Sequence, residues 1–204
     1  MANKKVITGN FFNKYESNNP LVKFVMGKYF GAIRHFLDGI KFDSMIDLGC
    51  GEGEIIRWTW KNYGKKKTMA YDIDNILLAN IKSEFPDVKT DTIYLDKETD
   101  TKNSYDLALF LEVLEHIEDY EAVLKNISKM KFKYLLISVP NEPFFRGANI
   151  VRLKYVMRLG NTPGHVNNFH YFKFRSLVNK YFPKDKVDFR ICWIWNFAFI
   201  RRKK

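Results

Sequence analysis

Cysteine is scarce: Cys50 and Cys192 are the only two in 204 residues. Two thiols cannot build the disulfide framework of a small secreted domain, so a reducing cytoplasm is the expected compartment. No stretch approaches the ~20 consecutive apolar residues that a membrane span requires. Residues 1–10 carry charge but no apolar run, which excludes a signal peptide from the expectations. Proline numbers only 6, and no Pro-, Gly- or Ser-rich linker, repeat or low-complexity tract interrupts the chain. One domain is therefore expected over residues 1–204, a length that can bury a full core.

Acidic side chains are the minority, 23 Asp and Glu against 34 Lys and Arg, for a net charge of +11. The excess is spread along the chain, and its tight runs are only Lys65-Lys66-Lys67 and Arg201 to Lys204. That distribution reads as a solvated basic surface, with no stable nucleic-acid partner expected.

What is abundant is patterned apolar sequence. Asn19-Pro20 is a helix start, a capping side chain followed by proline at the first helical position. Leu21, Val22, Val25, Met26, Tyr29, Phe30, Ile33 and Phe36 then recur at helical spacing to about residue 38. Met45 to Leu48 reads as a buried strand, followed by a helix from about Gly53 to Tyr63. Thr68 to Asp72 is a second strand, and Asp74 caps a helix reaching Phe85. Val88 to Leu95 and Tyr105 to Leu111 are further strands. A helical segment is expected from there to about Met130, then a strand over Tyr134 to Val139. Alternation at this interval predicts βαβ units and a parallel sheet. A helix over Phe172 to Tyr181 and a hairpin within Val187 to Ile200 close the chain.

Between the first strand and its helix lies Asp47-Leu48-Gly49-Cys50-Gly51-Glu52-Gly53. Glycines there permit a tight turn and close backbone approach to a ligand. In dinucleotide binders the spacing is G-x-G-x-x-G; here the third glycine comes one residue early and Glu54 takes its place. A carboxylate facing a pyrophosphate is unfavourable, whereas a ligand without phosphate fits. Asp72, 21 residues after Gly51, stands at the offset from which a carboxylate reads ribose hydroxyls.

With those residues in hand, the chain resembles the class I S-adenosylmethionine-dependent methyltransferases. The likeness runs from Met45 to Gly53, through Tyr71-Asp72-Ile73-Asp74 and Leu95-Asp96, to Tyr105–His116. The resemblance implies a Rossmann-like doubly wound α/β sheet, mostly parallel with an antiparallel last strand, and S-adenosylmethionine as cofactor. It implies that Asp47, Gly49, Cys50, Gly51 and Gly53 hold the methionine part and Asp72 the ribose. Ile73 and Leu95 would flank adenine, Asp96 would accept from its amino group, and Leu111 would line the cofactor near the sulfonium. It also divides the chain into an N-terminal helical lid (1–40), a cofactor core (41–140), an acceptor-side insert (141–170) and a last helix with terminal strands (171–204).

Glu112-Val113-Leu114-Glu115-His116 is similar to ubiquinone-biosynthesis O-methyltransferases and other small-molecule enzymes. A small-molecule acceptor, methylated at a hydroxyl, is the expectation, with an RNA or protein methyltransferase, or a non-catalytic cofactor binder, as alternatives. His116, and His165 within the insert, are the candidate catalytic residues, each able to accept a proton near neutral pH. Glu112 and Glu115, at i and i+3 on one expected helix face, could instead join both histidines around a divalent ion, as the resemblance to small-RNA 2′-O-methyltransferases suggests. No metal is assigned. The insert's Ile150, Val151, Leu153, Tyr155, Val156, Met157 and Leu159, interleaved with Arg152, Lys154 and Arg158, leave weak membrane-surface contact open.

Overall fold

The Asn19 side chain accepts a hydrogen bond from the Leu21 backbone N–H at 2.9 Å, and Pro20 follows as the first helical residue. In the computed structural model, which describes residues 18–142 and 166–203, this start opens α1 (Pro20–Leu37). There follow β1 (Ser44–Leu48), α2 (Glu54–Tyr63), β2 (Lys67–Asp72), α3 (Asn75–Glu84), β3 (Lys89–Thr92) and β4 (Ser104–Leu111). A short 3₁₀ turn (Leu114–His116) precedes α4 (Tyr120–Lys129), β5 (Lys131–Pro140), α5 (Tyr171–Tyr181), β6 (Lys186–Cys192) and β7 (Trp195–Arg201). His165, the apolar stripe from Ile150 to Leu159 and residues 1–17 lie outside the described residues.

The seven strands lie in the order β3-β2-β1-β4-β5-β7-β6. All pairings from β3 to β5 are parallel, while β7 runs antiparallel to both β5 and β6. This is the expected Rossmann-like sheet with its antiparallel last strand. Strand order reverses between β1 and β4, which opens a crevice at their C-terminal ends, where open α/β sheets bind ligands.

Period-2 alternation sorts the strand side chains onto two faces. Met45, Leu107, Leu109, Leu136, Phe197 and Phe199 meet α1, α2 and α3 on one face. Ile46, Leu48, Ala108, Phe110, Leu135, Ile137, Ala198 and Ile200 meet α4 and α5 on the other. Each fully buried large side chain contributes about 1.5–3 kcal/mol. Phe110, wholly buried in a central strand, is a position where truncation to alanine costs about 3–5 kcal/mol. The α1 residues Ile33 and Leu37 are also fully buried. This helix is thus part of the core.

Two sequence expectations need correction. The strand read over Val88 to Leu95 pairs only over Lys89–Thr92; Ile93 and Leu95 are apolar because they enter the core from the loop beyond. The helix expected after β4 is broken. Glu112 takes a left-handed φ of 59°, a 3₁₀ turn follows, and Asp119 caps a fresh helix by accepting from Ala122 N–H at 2.9 Å. Glu112 and Glu115 consequently do not share one helix face.

The terminal hairpin turns in two residues, Trp193 and Ile194, between paired Cys192 and Trp195. Trp193 has a φ of 54° and is, with Glu112, one of the two non-glycine residues of positive φ among the described residues. Positive φ at only the first turn residue is the type II′ pattern, whose normal occupant is glycine. A bulky residue there costs about 1–3 kcal/mol. The edge-to-face contact of Trp193 with Phe24, centroids 5.1 Å apart, returns about 0.5–1.5 kcal/mol.

Candidate functional site

The loop leaving β1 is pinned to β2 before it turns: Gly49 N–H and Cys50 N–H both donate to the Tyr71 carbonyl, at 2.7 and 3.0 Å. Gly49 (φ 77°), Gly51 (φ 53°) and Gly53 (φ 79°) adopt left-handed conformations, and each glycine is required for a different reason. A Cβ on Gly49 would stand 2.5 Å from Val113 Cγ2, because the loop after β4 presses against the loop after β1. A Cβ on Gly53 would meet Ile81 of α3 at 3.2 Å. A Cβ on Gly51 would project into open space, so this backbone is bare toward whatever fills the crevice. Gly51 N–H donates to Asp72 Oδ2 at 2.9 Å, and Asp74 N–H donates to Asp72 Oδ1 at 3.0 Å. Asp72 thereby fixes the loop while sitting at its mouth.

Asp47 lies beneath the loop, 2% exposed, and its buried Oδ2 has no hydrogen-bond partner. Burial first, and the neighbouring Asp72 charge second, raise its carboxyl to about 7. A buried carboxyl in this state calls for a cationic partner. Burial, Asp47 and Asp72 likewise push the Cys50 thiol up, which makes it inert as a nucleophile. The orphaned Asp47 oxygen and the bare Gly51 backbone fit a cofactor that carries an ammonium group.

The remaining cofactor candidates lie at or just past the C-terminal ends of β2, β3 and β4, on the same edge of the parallel sheet. Ile73 follows β2 and is half-buried. Leu95 is buried, and its carbonyl accepts from Asn126 Nδ2 of α4 at 2.9 Å; half-buried Asp96 comes next. Leu111 is the last residue of β4 and is buried. Glu54, read from sequence as a charge facing an incoming phosphate, is paired with Arg57 at 2.5 Å, and Arg57 also bridges Glu84 of α3. Its repulsion of phosphate is weaker than the sequence implied.

The turn after β4 gathers contacts from across the fold. Ser138 Oγ donates to Glu112 Oε1 at 3.1 Å, Trp195 Nε1 donates to Oε2 at 2.7 Å, and Tyr29 OH bonds Ser138 Oγ at 3.0 Å. Four elements, α1, β4, β5 and β7, are clasped at this carboxylate. Sequence reasoning missed Tyr29, Ser138 and Trp195. Tyr29 belonged to an apolar helical stripe, and nothing local marks the other two.

His116 is exposed on the 3₁₀ turn, and its Nε2 is 4.0 Å from Oε1 of the buried Glu115. The backbone N–H groups of Val166 and Asn167 donate to the Glu115 carbonyl at 3.0 and 3.1 Å, and Asn167 Nδ2 donates to the Ile117 carbonyl at 2.6 Å. The chain just after His165 is therefore stitched to the His116 turn. Among the described residues, no group of three or more His, Cys, Asp and Glu side chains is placed to hold a metal ion.

Solved structures share this architecture. The methyltransferase domain of bacterial CtHen1 is 17% identical with a TM-score of 0.70, over 87% of this chain and all of that one. The small RNA methyltransferase HEN1 is 19% identical with a TM-score of 0.66, over 88% of this chain and 25% of that much longer one. The plantazolicin methyltransferase BpumL, solved with a desmethylPZN analog and SAH, is 10% identical with a TM-score of 0.71, over 92% of this chain and 86% of that one. A comparison with curated protein sequences gives no match. A family model described as methyltransferase domain matches residues 22–184. That span runs from α1 into the loop after α5, and the chain accordingly belongs to the class I S-adenosylmethionine-dependent methyltransferases.

Proposed function

We propose that the enzyme methylates a hydroxyl of a small-molecule acceptor, with His116 as general base. The observation that carries this reading is an exposed imidazole set beside the buried Glu115 carboxylate, three residues from the Val113 that packs on the glycine loop. Asp47 would take the cofactor's ammonium group, and the backbone of Gly49, Cys50, Gly51 and Gly53 its methionine chain. Asp72 would take the ribose hydroxyls, Ile73 and Leu95 the faces of adenine and Asp96 its amino group, with Leu111 toward the sulfonium. When bound, S-adenosylmethionine supplies an electrophilic methyl group.

The protein's own part is alignment and proton removal. The glycine loop and the β4 turn, in contact through Gly49 and Val113, hold the two reactants in register, which accounts for much of the acceleration in such reactions. The acceptor hydroxyl gives its proton to the His116 imidazole. The Glu115 carboxylate close to Nε2 stabilises the imidazolium that results. His165, one residue before the segment bonded to Glu115, is the second candidate for that edge. Replacing His116 by Asn should lower turnover by about 10²–10⁴-fold with cofactor affinity preserved; unchanged turnover discards the assignment.

A second reading, an RNA hydroxyl as acceptor, is favoured by the net charge of +11 and by the likeness to HEN1. Transfer of a labelled methyl group into a cell extract separates the two, since nuclease treatment abolishes incorporation only for an RNA acceptor.

A further inference from the structure

Trp193 presents a physical contradiction. It occupies a turn position where glycine is relaxed, and its backbone is strained there (φ 54°). Its indole is nevertheless half exposed, so burial does not compensate. Strained residues that persist in such places mark function. Phe24, which it meets edge to face, is also half exposed, as are Leu21 and Ile191 beside them in sequence.

The surroundings are basic. Lys28 Nζ lies 5.3 Å from the Phe24 ring centroid, and Arg190 is exposed on β6. Cys192 Sγ donates to the Lys28 carbonyl at 3.4 Å, which ties the hairpin turn to α1. Both Lys28 and Arg190 act electrostatically on that thiol, opposing the rise that burial imposes. The turn stands at the C-terminal edge of the sheet, since Trp195 pairs with Pro140 at the end of β5. Trp195 also bonds Glu112, so the patch borders the acceptor side.

Half-exposed aromatic rings flanked by cations match the chemistry of a single-stranded nucleic acid, whose bases stack while its phosphates pair with Lys and Arg. A hairpin turn projecting into solvent suits an extended strand better than a small molecule, which takes a concave site. The net charge of +11 adds long-range attraction. We infer that Phe24 and Trp193, with Lys28 and Arg190, form a stacking platform for single-stranded nucleic acid beside the acceptor site. The platform is independent of which hydroxyl the enzyme methylates.

The test uses the full chain and a fluorescein-labelled 12-nucleotide single strand of adenylates, followed by polarisation over a salt series. Saturable binding is expected, weakened about tenfold or more by Trp193→Gly and by Phe24→Ala. Lys28→Gln and Arg190→Gln should each reduce the salt slope by about 0.7. The melting temperature of Trp193→Gly should equal or exceed the wild type, which a purely structural tryptophan would not allow. Cofactor affinity, titrated in parallel, should be unchanged. Four results would overturn the platform: no saturable binding at low salt, wild-type affinity in Trp193→Gly, equal affinity for a duplex of the same length, or a wild-type dimer that Trp193→Gly abolishes. The last would reassign the patch to a second copy of the chain.

Discussion

Two regions of the molecule bend their backbones by opposite means. On the cofactor side, every left-handed position in the loop is a glycine: Gly49, Gly51 and Gly53. Elsewhere, in the turn after β4 and in the terminal hairpin, the left-handed positions belong to Glu112 and Trp193. Glycine makes such a turn without steric cost and offers bare backbone to a ligand. A glutamate or tryptophan makes it under strain and is retained for what its side chain touches. One region presents main chain, the other side chains held at awkward angles. A cofactor common to a whole family suits the first arrangement, and an acceptor particular to one enzyme suits the second.

The sharpest test on the cofactor side is electrostatic. In the folded protein the Asp47 carboxyl titrates at about 7 against 3.8 for the free group. Between those values the folded state holds a proton that the unfolded chain has released. Stability from this residue is therefore complete below about pH 4 and is lost as pH rises through 7. The difference corresponds to about 4 kcal/mol. Urea unfolding from pH 4 to 8 should show that decline in the wild type and a flatter profile in Asp47→Asn. Added S-adenosylmethionine should reduce the wild-type decline by supplying a cation. Identical pH profiles would show that Asp47 is not the buried acid of this site.

Next in size is Gly49→Ala, which combines a left-handed φ with a collision against Val113. A loss of about 2–3 kcal/mol is expected from strain and displacement together, seen as a lower denaturation midpoint. Gly51→Ala should cost only about 1–2 kcal/mol, the penalty of its φ alone, because its Cβ meets no atom. Yet cofactor titration should show Gly51→Ala binding much more weakly, if the proposed methionine site uses that bare backbone. If both variants lost stability equally and both still bound cofactor, the main-chain side of the comparison would fail. The smallest effect has the opposite sign. Trp193→Gly should gain about 1 kcal/mol, strain relief outweighing the lost Phe24 contact, or a few degrees in melting temperature for a chain of this size.

The same contrast explains what the sequence revealed. The cofactor half is built from local signals: a proline-led helix start, a glycine loop after an apolar strand, a carboxylate at the end of the next strand. Its elements fall within a residue or two of the expected bounds, apart from β3, where Ile93 and Leu95 are buried in a loop rather than paired. The remainder, from the turn after β4 to β7, depends on contacts between distant residues. Tyr29 reaches Ser138 across 109 positions, and Trp195 reaches Glu112 across 83. No local pattern announces such pairs. The uninterrupted helix read after β4 failed for a related reason. Apolar spacing continues through Val113, Leu114 and Ile117, and the left-handed turn at Glu112, held by partners from β5 and β7, is invisible to periodicity.

Strand β7 has a consequence for the order of assembly. It is the last strand along the described chain, yet it lies inside the sheet, between β5 and β6, and supplies Phe197 and Phe199 to one core and Ala198 and Ile200 to the other. The cofactor half, β1 to β4, can pair as soon as it leaves the ribosome. β5 must wait some sixty residues for its neighbour, and α1 must wait longer for the aromatic rings that complete its seat. Closing such distant pairs is slow. An interval should therefore exist in biosynthesis when the glycine loop is formed while the edge of β5 stands open, exposed to pairing with another chain.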